Sequence, residues 1–150
     1  MTDAQGQFTL PPDDSITSVL VVSTMGFAEL SREMLAGDPT MLLQPWGRLE
    51  GRFDAGSASA TNHCLLFQYR EGKFQGISSD FTTYQVRTDD QGKFVFPRVP
   101  PGKHRLVELI PMEAGPGRKG WMHQPLTEVE IRPGETSTIN IDASKRPARL

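Results

Sequence analysis

The sequence predicts an all-β fold, an antiparallel Greek-key β-sandwich. Short runs of alternating apolar and polar residues recur along the 150 residues, separated by Gly-, Pro- and Asp-rich breaks, with almost no helical periodicity. The stretch 88–104 shows the pattern best, because it reads as three strands joined by two tight turns, the second a Pro-Pro-Gly break. Roughly eight to ten such strands indicate two sheets packed around one core.

The first turn in that stretch is specified by backbone chemistry. Asp89 and Asp90 can accept hydrogen bonds from nearby backbone, and Gly92 can adopt the positive φ that closes a hairpin with a bulge. Phe94 and Phe96 then point to one face of the next strand. We therefore expect this hairpin to place two aromatic rings in the core.

The N-terminal part is expected to add a strand segment and one short helix. Residues 16–23 are rich in β-branched side chains, and we predict that they form a hairpin with a strand at 7–10. A strand at 27–30 leads into a helical turn that Ser31 caps. We assign residues 1–43 to a strand pair and helix that pack on the sandwich or precede it.

The sandwich itself is assigned to residues 44–143, followed by a frayed tail at 144–150. Its strands are predicted from alternating or β-branched runs between turn residues, at 46–53, 62–69, 81–88, 94–96, 104–110, 126–131 and 136–141. We expect the last two strands to pair as a hairpin. The Gly-rich segment 70–80 and the Gly- and Pro-rich segment 111–120 are predicted to be loops.

Composition and charge narrow the classes of function. Lys and Arg (16) nearly balance Asp and Glu (18), for a formal charge of −2, so long-range charge favours neither nucleic acid nor an anionic membrane as a partner. The sequence shows no signal peptide and no apolar run long enough to span a membrane. The single cysteine, Cys64, lies in an apolar run and is expected to be a buried, inert thiol.

Four sequence motifs occur in an order that resembles the carboxypeptidase regulatory-like domain. They are Gly-Arg-Leu-Glu-Gly at 47–51, Thr-Asp-Asp-Gln-Gly-Lys-Phe-Val-Phe at 88–96, Val-Pro-Pro-Gly-Lys-His at 99–104 and Arg-Pro-Gly-Glu-Thr at 132–136. The resemblance covers residues 42–142 and implies a transthyretin-like sandwich related to the collagen-adhesin B-type domains. It also implies an accessory, non-catalytic module of a longer bacterial protein in the periplasm, on the cell surface or outside the cell.

The adhesin relatives often join a first-strand Lys to a last-strand Asn or Asp with the help of a buried Glu. In this chain Glu108 resembles that glutamate and Asn140 lies in the last strand, but the first strand carries Arg48 and Arg52. A guanidinium stays protonated and cannot attack an amide. We therefore expect no isopeptide bond.

No pattern of residues indicates a catalytic or metal centre. Asp89 and Asp90 are the candidates for calcium, but the alternating carboxylates of an EF-hand loop are absent and a turn accounts for both. His63, His104 and His123 lack the spacing of a zinc site. No nucleophile elbow, phosphate loop or dinucleotide fingerprint occurs. We expect no enzyme activity and no cofactor, and a metal-dependent enzyme is the least supported alternative.

Ligand binding by loops at one end of the sandwich has more support in the sequence than a metal-dependent enzyme does. Trp121 follows the 111–120 loop, and Tyr84 supplies a second flat face. With Arg118 and His123 as donors, these rings suit a carbohydrate or an extended peptide. The leading interpretation is a structural spacer or interaction domain that contacts other domains of its parent protein, and the alternative is a module that binds a surface glycan or peptide.

Overall fold

The computed structural model describes residues 3–10, 13, 15–56, 59–68 and 85–143. In these ranges the elements are, in chain order, β1 (Ser18–Val22), β2 (Gly26–Ser31), α1 (Arg32–Gly37), β3 (Gln44–Pro45), β4 (Gly47–Asp54), β5 (Cys64–Gln68), β6 (Gln85–Arg87), β7 (Lys93–Val99), β8 (Gly102–Glu113), β9 (Lys119–Ile131) and β10 (Thr136–Asp142). They form three sheets, with strand orders β1-β2-β3, β10-β4-β7 and β6-β5-β8-β9. The predicted all-β sandwich class is confirmed.

The second and third sheets supply one shared apolar core. The core residues alternate along their strands and come from β4, β7 and β10 on one side and from β5, β8 and β9 on the other. One ring contact between the two sheets joins Phe67 and Phe96, whose centroids are 4.5 Å apart. Phe94 and Phe96 are both buried, as the alternation predicts.

The predicted hairpin between the last two strands is wrong, because β10 pairs with β4 and not with β9. The turn is present, with the N–H of Glu135 donating to the carbonyl of Arg132 and Gly134 at φ +70°. It carries the chain from one sheet to the other, where β10 runs parallel to β4. The apolar residues of both strands therefore reach the core from opposite sides.

The turn before β7 has the chemistry that its sequence predicts. The Asp89 carboxylate accepts hydrogen bonds from the N–H groups of Gln91 (2.9 Å) and Lys93 (2.7 Å). Gly92 has φ +74°, and a Cβ there would lie 2.3 Å from the carbonyl oxygen of Phe53. The Asp89 side chain is thus used by the backbone of its own turn.

The predicted strand at 7–10 does not form. The Asp3 carboxylate instead accepts hydrogen bonds from the N–H groups of Gln5 and Gln7, which holds the chain in a turn. β1 pairs antiparallel with β2, so the N-terminal hairpin uses a different partner strand. α1 follows as predicted, and the Ser31 hydroxyl accepts a hydrogen bond from the N–H of Met34 at its first turn.

Trp46, the residue just before β4, links the N-terminal sheet to the sandwich. Its indole stacks on Phe27 of β2 with centroids 5.3 Å apart, and its Nε1 donates to the Ser23 carbonyl at 2.8 Å. The indole is largely buried. One aromatic side chain therefore holds the β1–β2 turn against the start of the first sandwich strand.

Several predicted segments lie partly or wholly outside the described residues. They are the 70–80 connection, the 144–150 tail and residues 81–84 of the strand predicted at 81–88.

Cys64 is buried as predicted, and its burial raises the pKa of the thiol. No helix among the described residues is long and apolar enough to cross a membrane.

His104 makes the stability of the core depend on pH. Its ring is buried beside Phe67, and its Nε2 lies 2.6 Å from the Pro100 carbonyl, which can only accept a hydrogen bond. Burial lowers the pKa of His104 below the ordinary 6.5, although the Pro100 hydrogen bond acts in the opposite direction.

We expect the free energy of unfolding to fall as the pH falls below about 6.5. There the unfolded chain binds a proton at His104 and the folded chain does not, whereas above that pH neither state is protonated. Urea unfolding at a series of pH values measures the slope. His104→Gln retains a donor but does not titrate, so it should show a shallower slope; an unchanged slope would contradict this account.

Candidate binding face

The longest hairpin of the sandwich extends past its neighbouring strand. β8 and β9 pair from Gly102 and Ile131 to Glu113 and Lys119, whereas the pairing of β5 with β8 stops at Leu109. The prediction of a loop over 111–120 is therefore wrong: only the residues between Glu113 and Lys119 are outside the strands.

The proline at 111 explains why the sequence pattern pointed to a loop. Proline has no N–H for a sheet and is confined to positions where a strand has a free edge. Pro111 lies beyond the end of the β5 pairing, so one edge of β8 has no partner there among the described strands. Strand structure and proline are compatible at this position.

The candidate site is the outer side of this extension, which we call the Trp121 face: Leu109, Pro111, Trp121 and His123. His104, Leu106 and Glu108 of β8 are buried toward the core, so by alternation the odd-numbered residues of β8 point outward. Leu109 pairs with His123, and Pro111 pairs with Trp121, which places all four side chains on that side. The Trp121 indole is 56% exposed.

A side-chain hydrogen bond holds His123 in place. Nε2 of Gln68 on β5 lies 2.9 Å from Nδ1 of His123 on β9, so this contact passes over β8, which lies between the two strands. Val107, the outward residue of β8 between them, is fully buried. With Nδ1 accepting from the amide, the other ring nitrogen of His123 carries its proton and is a donor beside Trp121.

Arg118 lies in the turn that closes the hairpin. Its N–H donates to the Gly115 carbonyl, and its own carbonyl accepts from Ala114, while Gly115 and Gly117 have positive φ. The guanidinium is therefore presented from an ordered turn, three residues before Trp121. Lys119, the next residue, adds a second cation to the same end of the hairpin.

The structure thus brings three of the four predicted site residues to one hairpin. Trp121 and His123 share a face, and Arg118 lies at its closed end. Tyr84 lies outside the described residues. Sequence reasoning missed Gln68, whose role depends on contact between strands far apart in the chain, and no local pattern marks it.

A second polar cluster lies at the edge of the core around Glu108, which is almost fully buried. Its carboxylate is 2.5 Å from Nδ1 of His63, and Nε2 of His63 is 2.8 Å from the Ser59 carbonyl. The His63 ring also packs on Phe53, with centroids 4.5 Å apart. Because the Ser59 carbonyl can only accept, Nε2 of His63 donates to it, and the second ring nitrogen, Nδ1, is hydrogen-bonded to the Glu108 carboxylate.

This cluster holds the chain before β5 against β8. A His–carboxylate pair orients the base in many hydrolases, but here the Nε2 atom that would act as the base faces a backbone carbonyl. The hydroxyl of the neighbouring Thr88 accepts a hydrogen bond from the backbone N–H of His63 and donates one to the Ala60 carbonyl at 2.6 Å. Nε2 of His63 and the Thr88 hydroxyl are thus engaged with backbone carbonyls, which favours a structural role for the cluster.

The strands that would carry an isopeptide bond have no amine in place. The core-facing residues of β4 alternate through Leu49, Gly51 and Phe53, and Asn140 on β10 is exposed. Glu108 contacts His63 instead. In the described ranges, no group of three or more His, Cys, Asp and Glu side chains could hold a metal ion.

No protein-family model matches the chain, and no curated protein matches its sequence. Among solved structures it is similar to the major pilin subunit of Bacillus cereus (TM-score 0.44, 16% identity, 69% of this chain and 31% of the pilin). It is also similar to the minor pilin of Streptococcus agalactiae (0.39, 17%, 73% and 50%) and to a candidate carbohydrate-binding protein of Pseudomonas aeruginosa (0.35, 13%, 66% and 89%). The chain spans half or less of both pilins.

Proposed function

We propose that this chain is a non-catalytic β-sandwich module that binds a carbohydrate through the Trp121 face. The observation that carries the proposal is the exposed indole of Trp121 on a paired strand, with Pro111 opposite and His123 two residues further along. A flat aromatic surface with adjacent N–H donors suits the apolar face and the hydroxyl groups of a sugar ring.

The rigidity of the face also supports binding. Trp121 and His123 lie within a hydrogen-bonded hairpin, and Gln68 fixes the His123 ring. A ligand would therefore meet side chains that are already oriented, so little conformational entropy is lost on binding. Arg118 at the closed end of the hairpin offers a charge to an acidic substituent or a hydroxyl.

The resemblance to the carboxypeptidase regulatory-like domain supports an accessory role in a longer bacterial protein at the cell surface or in the periplasm. In this proposal residues 44–143 form the module, and residues 1–43 add the β1–β2 sheet to it. The second candidate is a spacer that holds other domains of the parent protein apart. It is favoured by the Glu108 cluster, which fastens the chain before β5 to β8 through His63.

Trp121→Ala is expected to weaken sugar binding strongly and leave stability nearly unchanged. Removal of an exposed aromatic anchor should weaken affinity at least about tenfold, while the free energy of unfolding should change by less than about 0.5 kcal/mol. Glycan-array screening followed by isothermal titration calorimetry measures the affinity of each variant, and urea unfolding measures the stability. In the unsubstituted chain a change in tryptophan emission on titration reports Trp121, because Trp46 is buried.

Met112→Ala is the matched control, because Met112 is exposed on the same hairpin but points to the opposite side. It should bind as the unsubstituted chain does, and Trp121→Phe should retain part of the affinity. If no glycan binds, the carbohydrate proposal is refuted and the spacer function becomes the favoured one. Binding of a peptide in place of a glycan would show that the face has a different ligand.

A further inference from the structure

β1 differs from the other edge strands that the structure describes. Each of β3, β6, β7, β9 and β10 has at least one charged residue or proline, which discourages pairing with another chain. β1 (Ser18–Val22) has the sequence Ser-Val-Leu-Val-Val and contains neither. It is an unprotected β-branched edge, and none of its residues is fully buried.

The antiparallel pairing of β1 with β2 shows which of its backbone groups point outward. The carbonyl of Thr17 accepts from Arg32, and the N–H of Ser23 donates to Gly26, so the odd-numbered residues of β1 exchange hydrogen bonds with β2. The backbone groups of Ser18, Leu20 and Val22 therefore point to the edge. These three positions are symmetric about Leu20.

The same part of the chain carries most of the exposed apolar side chains. Of the eight large hydrophobic residues exposed in the described ranges, five belong to the N-terminal segment: Leu10, Met25, Met34, Leu42 and Leu43. An open apolar cavity of about 260 Å³ lies between β1 and α1 and is lined by Ile16, Val19 and Leu35, among others. The cavity thus provides apolar surface beside β1 that a partner would cover, whereas Leu42 and Leu43 precede β3 at the opposite edge of the sheet.

We propose that two copies of this chain associate by antiparallel pairing of β1 with β1, about a two-fold axis at Leu20. Leu20 would face Leu20 of the second copy, and Ser18 would face Val22, so each of these pairs exchanges two backbone hydrogen bonds. A second copy fits because β1 is uncharged and pairing with itself opposes no like charges. The two sheets become one continuous sheet, and the interface closes on itself.

The apolar cavities support this arrangement. The two-fold axis is perpendicular to the joined sheet, so the α1 side of both copies lies on the same side. Val21 of one copy would then lie opposite Val19 of the other, next to the cavity that Val19 lines. This interface is independent of the Trp121 face, which lies on the β8–β9 hairpin.

Sedimentation velocity across micromolar concentrations is the first test. We expect a reversible dimer whose population rises with concentration. Ser18→Lys places a charge on the exposed start of β1 and should shift the chain to monomer, whereas Thr138→Lys, on the exposed side of edge strand β10, should not. A chain that is monomeric throughout, or a dimer that both substitutions leave intact, would overturn the proposal.

Disulfide trapping tests the register. In hydrogen-bonded pairs the Cα atoms are about 5.5 Å apart, within the range that a disulfide spans. Leu20→Cys, in a Cys64→Ala background whose fold is checked by circular dichroism, should give a covalent dimer under mild oxidation. Met25→Cys, at a more exposed side chain, should not. Equal cross-linking of the two variants, or a monomer that binds a foreign extended peptide at β1, would refute self-pairing.

Discussion

Replacing Phe96 with alanine is expected to lower the free energy of unfolding by about 3–5 kcal/mol. Phe96 is fully buried on β7, and its ring packs against Phe67 of the opposite sheet and Phe94 of its own. Truncation removes apolar contacts with both sheets and leaves a cavity that the paired strands cannot close. Because a domain of this size is stable by about 5–15 kcal/mol, this is a large part of the total.

Urea unfolding followed by circular dichroism measures the loss. Val95→Ala is the control, because Val95 is the adjacent residue on the same strand but points outward and is 38% exposed. It should cost less than about 1 kcal/mol, since little apolar area is returned to water. If both substitutions cost the same, the alternation of β7 across the core would be refuted.

The parts of the fold that the sequence predicts well are those specified locally. The turn at Asp89 and Gly92 is an example, because the carboxylate and the glycine act on backbone atoms within four residues. The Ser31 cap of α1 is another. Alternation likewise predicts that Phe94 and Phe96 are buried, because side-chain direction in a strand follows directly from position.

The choice of partner strand could not be predicted in the same way. The turn at 132–135 has hairpin chemistry, yet β10 pairs with β4, more than eighty residues earlier in the chain. Which strands pair depends on how both sheets fill the core, and local sequence does not contain that information. At the predicted strand 7–10 a local contact competes, since the Asp3 carboxylate accepts from the N–H of Gln7, the first residue of that segment.

The structure changes the form of the candidate site that the sequence predicts, and its residues stay a prediction. The sequence placed Trp121, His123 and Arg118 beside a loop, and the structure places the first two on a paired strand. Pro111 suggested a loop because proline is rare in sheets, but it is accommodated where β5 has ended. The hydrogen bond from Gln68 to His123 depends on the order and register of three paired strands, which short-range patterns do not specify.

Gly51→Ala is expected to cost about 1–3 kcal/mol or more, because this position has no room for a Cβ. An added Cβ would lie 2.1 Å from the carbonyl oxygen of Ile139 on β10 and 2.9 Å from the ring of Phe94 on β7. The ring can rotate, but the carbonyl belongs to the backbone of a paired strand. The strain must therefore move β10 away from β4, which opens one side of the sandwich.

Gly37→Ala is the matched control, since a Cβ at the end of α1 meets no atom within 4 Å. It should leave the free energy of unfolding within about 0.5 kcal/mol of that of the unsubstituted chain, or raise it slightly by restricting the unfolded chain. Urea unfolding of both variants measures the difference in their free energies of unfolding. If Gly51→Ala were as stable as Gly37→Ala, β10 would not lie against β4 in this parallel register, because no rotamer change of a single side chain relieves a clash with a carbonyl oxygen.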